Sequence, residues 1–316
     1  MFQKYKWITK VNNKNLILKS IIKLKIRNFF FIKNIFEVNT PNLCSSISLN
    51  SNIQSIYTNN YTNFNKIPLY LQNSPEYKMK KLIISGCSSI YQLSPAFRGS
   101  DISNIHNPEF QILEWYRKKY NTKMLIKEII ELLENILKII KIIKITYEML
   151  FEKILNIKPK NESIYKIKNI IKLYNIKITK KNKINKNDYL NLLLKYIIEP
   201  KLKKKKIYII YNYYYKQPDL AKTTKKISKR FEIYINKIEI ANGAEELKNY
   251  NTHIKKFNKF NIKKKKLKKI INNNIKFISS LYYGLPKCSG IAIGIERIIM
   301  IYLKTYNIKS IKTFLK

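Results

Sequence analysis

Arginine and glycine are rare in this sequence, and two of its arginines stand where they could clamp a phosphate. The chain has five arginines and six glycines, although lysine and arginine together number 63. A guanidinium is planar and permanently charged, so it binds phosphate or carboxylate through paired hydrogen bonds that lysine does not reproduce. Arg98 falls in a predicted hairpin loop, and Arg297 falls in the first turn of a predicted C-terminal helix, whose N–H groups also favour anions. These positions predict a phosphate site.

Glu239 and Glu246 are the acidic residues that best complement these arginines. They lie seven residues apart and flank a predicted turn at Gly243. Two arginines with paired carboxylates, without a His or Cys nucleophile, indicate nucleotide chemistry in which Mg²⁺ and arginine stabilise phosphate charge. The sequence contains neither a Walker loop nor a GxGxxG motif. We therefore expect a nucleotide site that uses neither of those phosphate loops.

Residues 97–117 use residue types that the Lys/Asn/Ile/Tyr background hardly contains. An apolar run at Ser88–Leu93, a polar loop at Arg98–Pro108 and a near-alternating segment at Glu109–Arg117 predict a strand–loop–strand hairpin. The period of two places four side chains of the second strand on one face: Phe110, Ile112, Glu114 and Tyr116. An ordinary hairpin explains these residues equally well at this point, because surface loops carry polar residues anyway.

The net charge of +44 comes from 63 basic and 19 acidic residues. Such a charge is typical of nucleic-acid binders. Here, however, the basic residues are almost all lysine, are spread through every segment and accompany many Asn, Ile and Tyr residues. We favour compositional drift that produces a solvated lysine coat, and a nucleic-acid surface is the alternative.

Cysteine usage and hydropathy predict a protein of the cytoplasm. The three cysteines, Cys44, Cys87 and Cys288, show no metal-binding spacing, which fits a reducing compartment. No apolar run approaches the roughly 18–20 residues that span a bilayer, so we expect a soluble protein. The first 36 residues are basic and free of acid, as in a targeting presequence. The helical periodicity from Leu16 to Phe36 favours a structural helix instead.

The remaining segments predict helices and short strands around the hairpin. Before it we predict a helix at Leu16–Ile35, strands at Phe36–Asn39 and Pro68–Gln72, a loop with edge structure at Cys44–Lys66, and a helix with Ser74 as N-cap, Pro75 as first residue and Gly86 as stop. After it we predict one or two helices at Lys123–Leu155 and short helices with mobile joints at Ile157–Lys205. Strands follow at Ile207–Tyr215 and within Arg230–Ile240, and the turn lies within Ala241–Tyr250. The last predicted elements are a solvated helix face at Lys263–Lys269 and a strand at Ser289–Ile293 that leads through Gly294 into a terminal helix.

Three segments resemble the signature motifs of class II aminoacyl-tRNA synthetases of the lysyl type. Arg98 followed by His106-Asn107-Pro108-Glu109-Phe110 is similar to motif 2, Gly290-Ile-Ala-Ile-Gly294-Ile-Glu-Arg297 to motif 3, and Arg27 through Glu37-Val-Asn-Thr-Pro41 to motif 1. The resemblance implies an α+β fold, the class II aminoacyl-tRNA synthetase catalytic core, with an antiparallel β-sheet flanked by helices. It also implies a homodimer whose interface is formed by motif 1.

Further segments resemble a narrower family of truncated lysyl-synthetase paralogues, which attach (R)-β-lysine to elongation factor P. These are Ser74-Pro-Glu-Tyr-Lys-Met-Lys80, Leu113-Glu-Trp-Tyr116, Arg230-Phe-Glu232, Ala241-Asn-Gly243 with Glu246-Leu247, and Pro286-Lys-Cys-Ser-Gly290. The match runs in order to the C-terminus, and residues 120–205 match only in length and helical character. Only a short helix precedes the motif 1-like segment, so we expect one catalytic domain over residues 1–316, without an anticodon-binding domain or anticodon recognition.

The resemblance implies that ATP and Mg²⁺ bind around the two arginines. Arg98 would bind the α-phosphate and Arg297 the far phosphates, and both would be catalytic. Glu239 would hold Mg²⁺, helped by Glu246. The other residues implied around the nucleotide are Gly99, Ser100, Asn107, Ile240 and Gly294.

The resemblance implies a neighbouring site for (R)-β-lysine or lysine. Its ammonium groups need buried carboxylate partners, and the implied substrate residues are Ser74, Pro75, Glu76, Tyr116, Glu246 and Ala292. Lysyl synthetases tend to have glycine where this chain has Ala292, so that methyl group would change the room near the substrate amine, as a β-amino acid requires. A substrate carboxylate is ionised at pH 7, so its attack on the α-phosphorus needs no general base.

Two positions depart from the family pattern. Motif 2 usually reads Arg-x-Glu, but this chain has Ser100 at the third position and an acid next, Asp101. Glu245 places an extra carboxylate beside Glu246, or else is a surface side chain. Besides a ligase acting on elongation factor P, two alternatives stay open: a ligase with another amino acid or acceptor, and a catalytically weakened relic that binds RNA.

Overall fold

A large β-sheet with helices on both faces carries the motifs singled out above. In this computed structural model, the structure describes residues 9, 11–45, 53–58, 69–99, 102–138, 141–178, 184–214, 220–224, 227–265 and 275–314. Ser100 and Asp101 lie outside the described residues, as do parts of the segments predicted at Cys44–Lys66 and Lys263–Lys269.

The strands form a sheet that is antiparallel in its centre and parallel at both edges. Their bounds are β1 Phe36–Glu37, β2 Leu43–Cys44, β3 Tyr70–Leu71, β4 Ile90–Phe97, β5 Glu109–Lys118, β6 Ile142–Thr146, β7 Ile207–Tyr214, β8 Thr223–Thr224, β9 Ile227–Ile235, β10 Ile238–Glu245 and β11 Cys288–Gly294. The order in the sheet is β1-β4-β5-β11-β10-β9-β7-β6, with β8 beside β9 and with β2 and β3 as a separate pair. β1 is parallel to β4 and β6 is parallel to β7.

The helices lie before, between and after these strands. Their bounds are α1 Asn13–Ile32, α2 Glu76–Ile84, α3 Thr122–Leu137, α4 Tyr147–Leu155, α5 Ile164–Leu173, α6 Lys186–Leu193, α7 Glu199–Lys201, α8 Tyr250–Lys265, α9 Ile275–Tyr282 and α10 Ile295–Tyr302. A π-helical turn, Leu194–Ile198, joins α6 to α7, and a 3₁₀ turn, Ile308–Ser310, follows α10. No helix in the described part of the chain is long and apolar enough to cross a membrane.

Helix α3 packs against strands β9, β10 and β11 of the sheet. It begins at the N-cap Asn121, whose side chain accepts from Met124 N at 3.0 Å, and it ends at Lys138 in the left-handed conformation. Its buried side chains recur at helical spacing: Leu125, Ile129, Leu132, Leu133 and Ile136. They join α1, α10 and the central strands in one apolar core. Each such side chain contributes roughly 1.5–3 kcal/mol, which fixes the strands that carry the site.

The predicted hairpin is confirmed, with β4 and β5 paired in antiparallel register from Ile90 opposite Tyr116 to Phe97 opposite Glu109. The predicted α2 is also confirmed, shifted by one residue. Pro75 is its N-cap position, and Ser74 Oγ accepts from the Glu76 N–H at 3.2 Å. The local sequence determines these elements because turn chemistry and period-two alternation agree with the tertiary contacts.

Two predicted elements are wrong. The segment Lys123–Leu155 is not purely helical, since β6 interrupts it and pairs with β7. Gly243 does not make a turn but lies inside β10, and the β9–β10 turn falls at Asn236 and Lys237, which have φ of 50° and 70°. Gly243 is required by packing, because a Cβ there would lie 2.6 Å from Phe231 Cζ.

Candidate active site

Two adjoining cavities lie on the open face of β5, β10 and β11. Four residues line both cavities: Arg98, Ile112, Asn242 and Ala292. The polar residues that line only the first cavity include Asn107, Glu239, Glu296 and Arg297, and apolar residues such as Ile240 and Ile293 lie beside them. Those that line only the second cavity include Ser74, Glu76, Glu114, Tyr116 and Glu246. Two arginines line each cavity, Arg98 with Arg297 in the first and Arg98 with Arg230 in the second, and three carboxylates line the second.

The first cavity brings together six residues predicted around a nucleotide. They are Arg98, Asn107, Glu239, Ile240, Gly294 and Arg297. Gly99 is not part of this lining, and its N–H donates to Gln54 O at 2.9 Å. Arg98 stands at the end of β4, where its backbone N–H donates to Pro108 O at 2.7 Å and its guanidinium lies 5.0 Å from the Phe110 ring centroid.

Arg297 joins the last helix to the hairpin loop and to β10. Its Nη1 donates to the Glu239 carbonyl, and its Nη2 lies 2.7 Å from Nε2 of His106. Because a guanidinium only donates, His106 Nε2 is the acceptor, which leaves the Nδ1 proton for Ser103 Oγ at 2.7 Å. The guanidinium is therefore held at a fixed angle at the cavity wall.

Glu232 is a carboxylate neighbour of Glu239, and sequence reasoning missed it. A β-bulge between Glu239 and Ala241 lets Glu239 and Asn242 face the same cavity although they are three residues apart. Partial burial and the Glu232 charge raise the pKa of Glu239, and Arg297, Arg230 and Arg98 oppose that rise. Glu232 is buried and paired with Arg230. A cation bound beside Glu239 would reduce the electrostatic repulsion between these two carboxylates.

Glu239 and Glu246 do not flank a turn, because strand β10 runs between them. Both lie along one extended segment, seven residues apart, and at about 3.3 Å per residue their backbones are separated by roughly 20 Å. They also line different cavities. Glu246 lies with the residues predicted around the amino acid, and its predicted help in holding Mg²⁺ stays a prediction. The described residues contain no cluster of three or more His, Cys, Asp and Glu side chains arranged for a metal.

The second cavity contains five of the six residues predicted around the amino acid: Ser74, Glu76, Tyr116, Glu246 and Ala292. Pro75 does not line it and instead begins α2. Glu114 joins this set, because its carboxylate accepts from Ser74 Oγ at 2.5 Å and from the Tyr116 hydroxyl at 2.7 Å. The period-two face predicted for β5 is therefore confirmed, since Phe110, Ile112, Glu114 and Tyr116 all line one cavity or the other.

Burial raises the pKa of Glu114 to about 7, and the nearby Glu76 charge adds to the rise. The hydrogen bonds from Ser74 and Tyr116 and the charge of Lys80 oppose it without cancelling it. An ammonium group in the cavity would favour the charged carboxylate. A cationic ligand in the cavity would therefore lower the pKa of Glu114 and favour loss of its proton.

Glu245 is a buried carboxylate paired with Lys222, so the interpretation as an exposed surface side chain is wrong. Its side chain accepts from Lys222 Nζ at 2.6 Å, and its carbonyl accepts from Lys222 N at 2.8 Å. Glu245 does not line either cavity. The extra carboxylate therefore does not enter the amino-acid cavity, and its contacts with Lys222 lie beside the isolated bridge between Ala221 and Glu246.

We expect Glu114→Gln to change how stability depends on pH. The folded-state pKa of about 7 lies above the usual value of 4.5, so between these values the folded carboxyl keeps a proton that the unfolded chain releases. The free energy of unfolding then falls as pH rises through this window, by at most about 3 kcal/mol. Urea unfolding at pH 5 and pH 8 should show a smaller loss for Glu114→Gln than for the wild type. Glu109→Gln, at the exposed start of the same strand, should keep the wild-type dependence, and equal slopes for all three proteins would contradict the assignment.

The fold and these cavities define a class of protein. The chain belongs to the class II tRNA synthetases, and the profile of that family for the D, K and N enzymes matches residues 3–316. Within the class, it is similar to proteins named elongation factor P–(R)-β-lysine ligase. Those from Buchnera aphidicola of Schizaphis graminum and of Acyrthosiphon pisum are each 37% identical to it, covering 98% of this chain and 98% and 97% of theirs. The ligase of Pseudoalteromonas translucida is 32% identical, with 98% and 97% covered.

Proposed function

We propose that this protein activates (R)-β-lysine with ATP and transfers it to a lysine side chain of elongation factor P. The observation that carries this proposal is the junction of the two cavities at Arg98, Asn242 and Ala292. A nucleotide in the first cavity and an amino acid in the second cavity would meet there. The kinship with ligases of that name supplies the substrate and the acceptor.

The second cavity suits a substrate with two ammonium groups. Glu76, Glu114 and Glu246 line it, and the Tyr116 hydroxyl and Ser74 Oγ orient Glu114. Buried ammonium groups require such partners, because an unpaired buried charge costs several kcal/mol or more. An amino acid without a second amine would leave a carboxylate of this cavity unpaired, which favours lysine-like substrates.

The first chemical step is an in-line displacement at the α-phosphorus. An oxygen of the substrate carboxylate attacks, the bond to the bridging oxygen of pyrophosphate breaks, and aminoacyl adenylate and pyrophosphate result. No proton has to be removed from the nucleophile, because the carboxylate is ionised at pH 7. Arg98, which lines both cavities, would stabilise charge on the α-phosphate, and Arg297 would hold the leaving phosphates.

Mg²⁺ fits the same cavity. Mg²⁺ is commonly held by one or two carboxylates together with substrate phosphates, and Glu239 beside Glu232 provides such a pair. When bound, the ion would neutralise phosphate charge. Glu239 would bind it and Glu232 would support that site, while Tyr213 and Tyr234 hold Glu232 through hydrogen bonds of 2.5 and 2.7 Å.

In the second step, the ε-amine of the acceptor lysine attacks the carbonyl carbon of the adenylate. The C–O bond to the phosphate breaks, AMP leaves, and an amide forms. The acceptor ammonium must first lose a proton, since its reference pKa is about 10.4. The basic surface of this chain would favour the approach of an acidic acceptor, and added salt should weaken that attraction.

The decisive experiment is ATP–pyrophosphate exchange with (R)-β-lysine and with α-lysine, followed by mass analysis of elongation factor P. We expect exchange with β-lysine and a mass gain on the acceptor. Exchange with a different amino acid only would support a ligase of other specificity. No exchange, together with RNA binding that falls steeply with salt, would overturn the enzyme proposal in favour of the relic.

Ala292 is proposed to select the β-amino acid. It stands at the junction, opposite Glu114 in β5 and Asn242 in β10. We expect Ala292→Gly to shift the ratio of kcat/KM for α-lysine over β-lysine upward by about tenfold, the usual effect of one methyl-sized group in a pocket. Ala96→Gly, buried in β4 away from both cavities, controls for glycine in a strand. An unchanged ratio would show that Ala292 does not contribute to selectivity.

A homodimer is proposed through α1 and β1. These elements expose large apolar side chains, namely Ile17, Leu24, Phe31, Ile32 and Phe36. Exposed apolar groups of this kind mark interaction surfaces, and Arg27 pairs with Glu37 beside them at 2.9 Å. Sedimentation equilibrium tests this proposal: the wild type should have the mass of a dimer and Phe31→Lys a lower mass. Equal monomer masses for the two proteins would contradict it.

The predicted cytoplasmic location and single catalytic domain stay predictions.

A further inference from the structure

Lys80 lies buried between two carboxylates of the amino-acid cavity. Its Nζ is 2.7 Å from Glu76 Oε1 and 2.5 Å from Glu246 Oε2, and its side chain is 1% exposed. The ammonium also lies 5.8 Å from the Tyr116 ring centroid. Lys80 itself does not line the cavity. All three of its partners do, so the lysine forms the floor behind the residues that would contact the substrate.

The ammonium of Lys80 stays charged despite its burial. Burial opposes the charged form, but the Glu246 and Glu76 carboxylates outweigh it, so the pKa of Lys80 is raised. Glu76 belongs to α2, whereas Glu246 follows the end of β10. One cation therefore links the helix to the strand across the cavity. Without this cation the two carboxylates would repel each other, and neither would be held in place as well.

Lys80 contacts one oxygen of each carboxylate. These are Oε1 of Glu76 and Oε2 of Glu246. The other oxygen of Glu246, Oε1, faces the cleft at Gly290, since a Cβ on that glycine would lie 3.0 Å from it. The Glu76 side chain is 36% exposed. Both carboxylates line the cavity as well, so the side chains that Lys80 contacts are also side chains that a ligand would meet.

The charges of the cavity then match a dication. With Glu76, Glu114 and Glu246 ionised the carboxylates sum to −3, and Lys80 contributes +1, which gives −2. Two arginines also line this cavity: Arg230 is paired with Glu232 outside the lining, and Arg98 is assigned to the carboxylate of the substrate. A diamino acid brings two ammonium groups, and its carboxylate is directed to Arg98. Without Lys80 the same three acids would lack their buried counter-ion, and Glu76 and Glu246 would repel each other across the space that the ammonium now fills.

We propose that Lys80 is a positioning residue, a built-in counter-ion that holds the Glu76 and Glu246 carboxylates in place for the two ammonium groups of the substrate. This inference rests on the proposed function. It predicts that removing the charge of Lys80 weakens binding of the amino acid and leaves binding of ATP in the neighbouring cavity unchanged. A merely structural lysine would affect both substrates alike, or only the stability of the fold.

The test compares Lys80→Met, which keeps a long unbranched side chain without charge, with Lys81→Met, a half-buried neighbour on the same helix. In ATP–pyrophosphate exchange we expect Lys80→Met to raise the KM for (R)-β-lysine at least tenfold, with the KM for ATP within threefold of wild type. Lys81→Met should match the wild type for both. Lys80→Arg keeps the charge and should recover part of the loss.

Each outcome decides between the claims. Wild-type protein without exchange for any amino acid overturns the proposed function and this inference with it. Exchange in the wild type with an unchanged β-lysine KM in Lys80→Met overturns the role of Lys80 alone. Equal rises in both KM values do the same. Failure of both Lys80→Met and Lys80→Arg to fold, seen by circular dichroism, would make Lys80 a structural residue and also overturn the inference.

Discussion

Arg297→Lys is expected to lower the rate of ATP–pyrophosphate exchange by about 100- to 1,000-fold, the usual loss when one preorganised donor to transition-state charge is removed. The guanidinium donates to the Glu239 carbonyl and to His106 Nε2, 2.7 Å from its Nη2. A lysine keeps the charge but is a single ammonium on a flexible stem. It does not satisfy both partners and face the leaving phosphates at the same time. The fall should appear mainly in kcat, because the leaving phosphates gain charge in the transition state.

The matched control is Arg117→Lys, the same substitution on β5. Arg117 pairs through Nε with Glu128 Oε1 at 3.1 Å and lies 4.4 Å from the Tyr120 ring centroid, and it lines neither cavity. We expect this variant to lose stability and to keep its exchange activity per folded molecule. Exchange by Arg297→Lys within threefold of wild type would show that Arg297 acts as a simple charge.

Gly290→Ala is expected to abolish amino-acid binding with a smaller effect on the fold. A Cβ at this position would lie 2.3 Å from Cε1 of Tyr116 and 3.0 Å from Oε1 of Glu246. The Tyr116 ring has little freedom to retreat, because it is buried and its hydroxyl donates to Glu114 at 2.7 Å. Overpacking of this kind costs about 1–3 kcal/mol of stability. The displaced groups are those proposed to bind the substrate, so we expect the KM for (R)-β-lysine to rise at least about 100-fold, the effect of misplacing reacting groups by an ångström.

Gly86→Ala provides a control with a cost in stability and no clash. Gly86 has φ of 106°, follows α2 on the surface and has no atom within 4 Å of the point that a Cβ would occupy. Alanine there is strained and destabilises by about 1 kcal/mol, yet the cavities are untouched. Similar melting temperatures with very different values of KM for the two variants would separate packing around Tyr116 from general destabilisation. Wild-type affinity in Gly290→Ala would contradict the assigned cavity.

Rare residue types in the sequence point to much of the site. Lysine dominates the basic residues of this chain, so the arginines at positions 98 and 297 indicate sites that need a planar guanidinium. The glycine at position 290 indicates a site where other atoms approach the backbone closely. The hairpin around Arg98 follows from period-two alternation and a polar loop, and the structure confirms it. These features are local, so the order of residues along the chain is enough to predict them.

Other members of the site have no local signal. Glu232 and Lys80 belong to segments singled out by resemblance, but nothing in their spacing shows that one faces Glu239 and the other bridges Glu76 and Glu246. The bulge in β10 is equally hidden, although it decides which side chains of that strand reach the cavities. The helix predicted over Lys123–Leu155 is wrong at β6 because a short apolar run suits either a helix or a strand, and only β7 decides between them.

The sequence by itself determined the class of the protein, the hairpin, the arginines proposed to bind phosphate and most of the residues around the expected amino acid. Tertiary structure alone decided how the acidic residues are paired: Glu239 is near Glu232, whereas Glu246 is joined to Lys80. The physical reason is that motifs record local backbone and side-chain requirements. The pKa and orientation of a buried carboxylate depend instead on charges brought close by strands and helices that are distant in sequence.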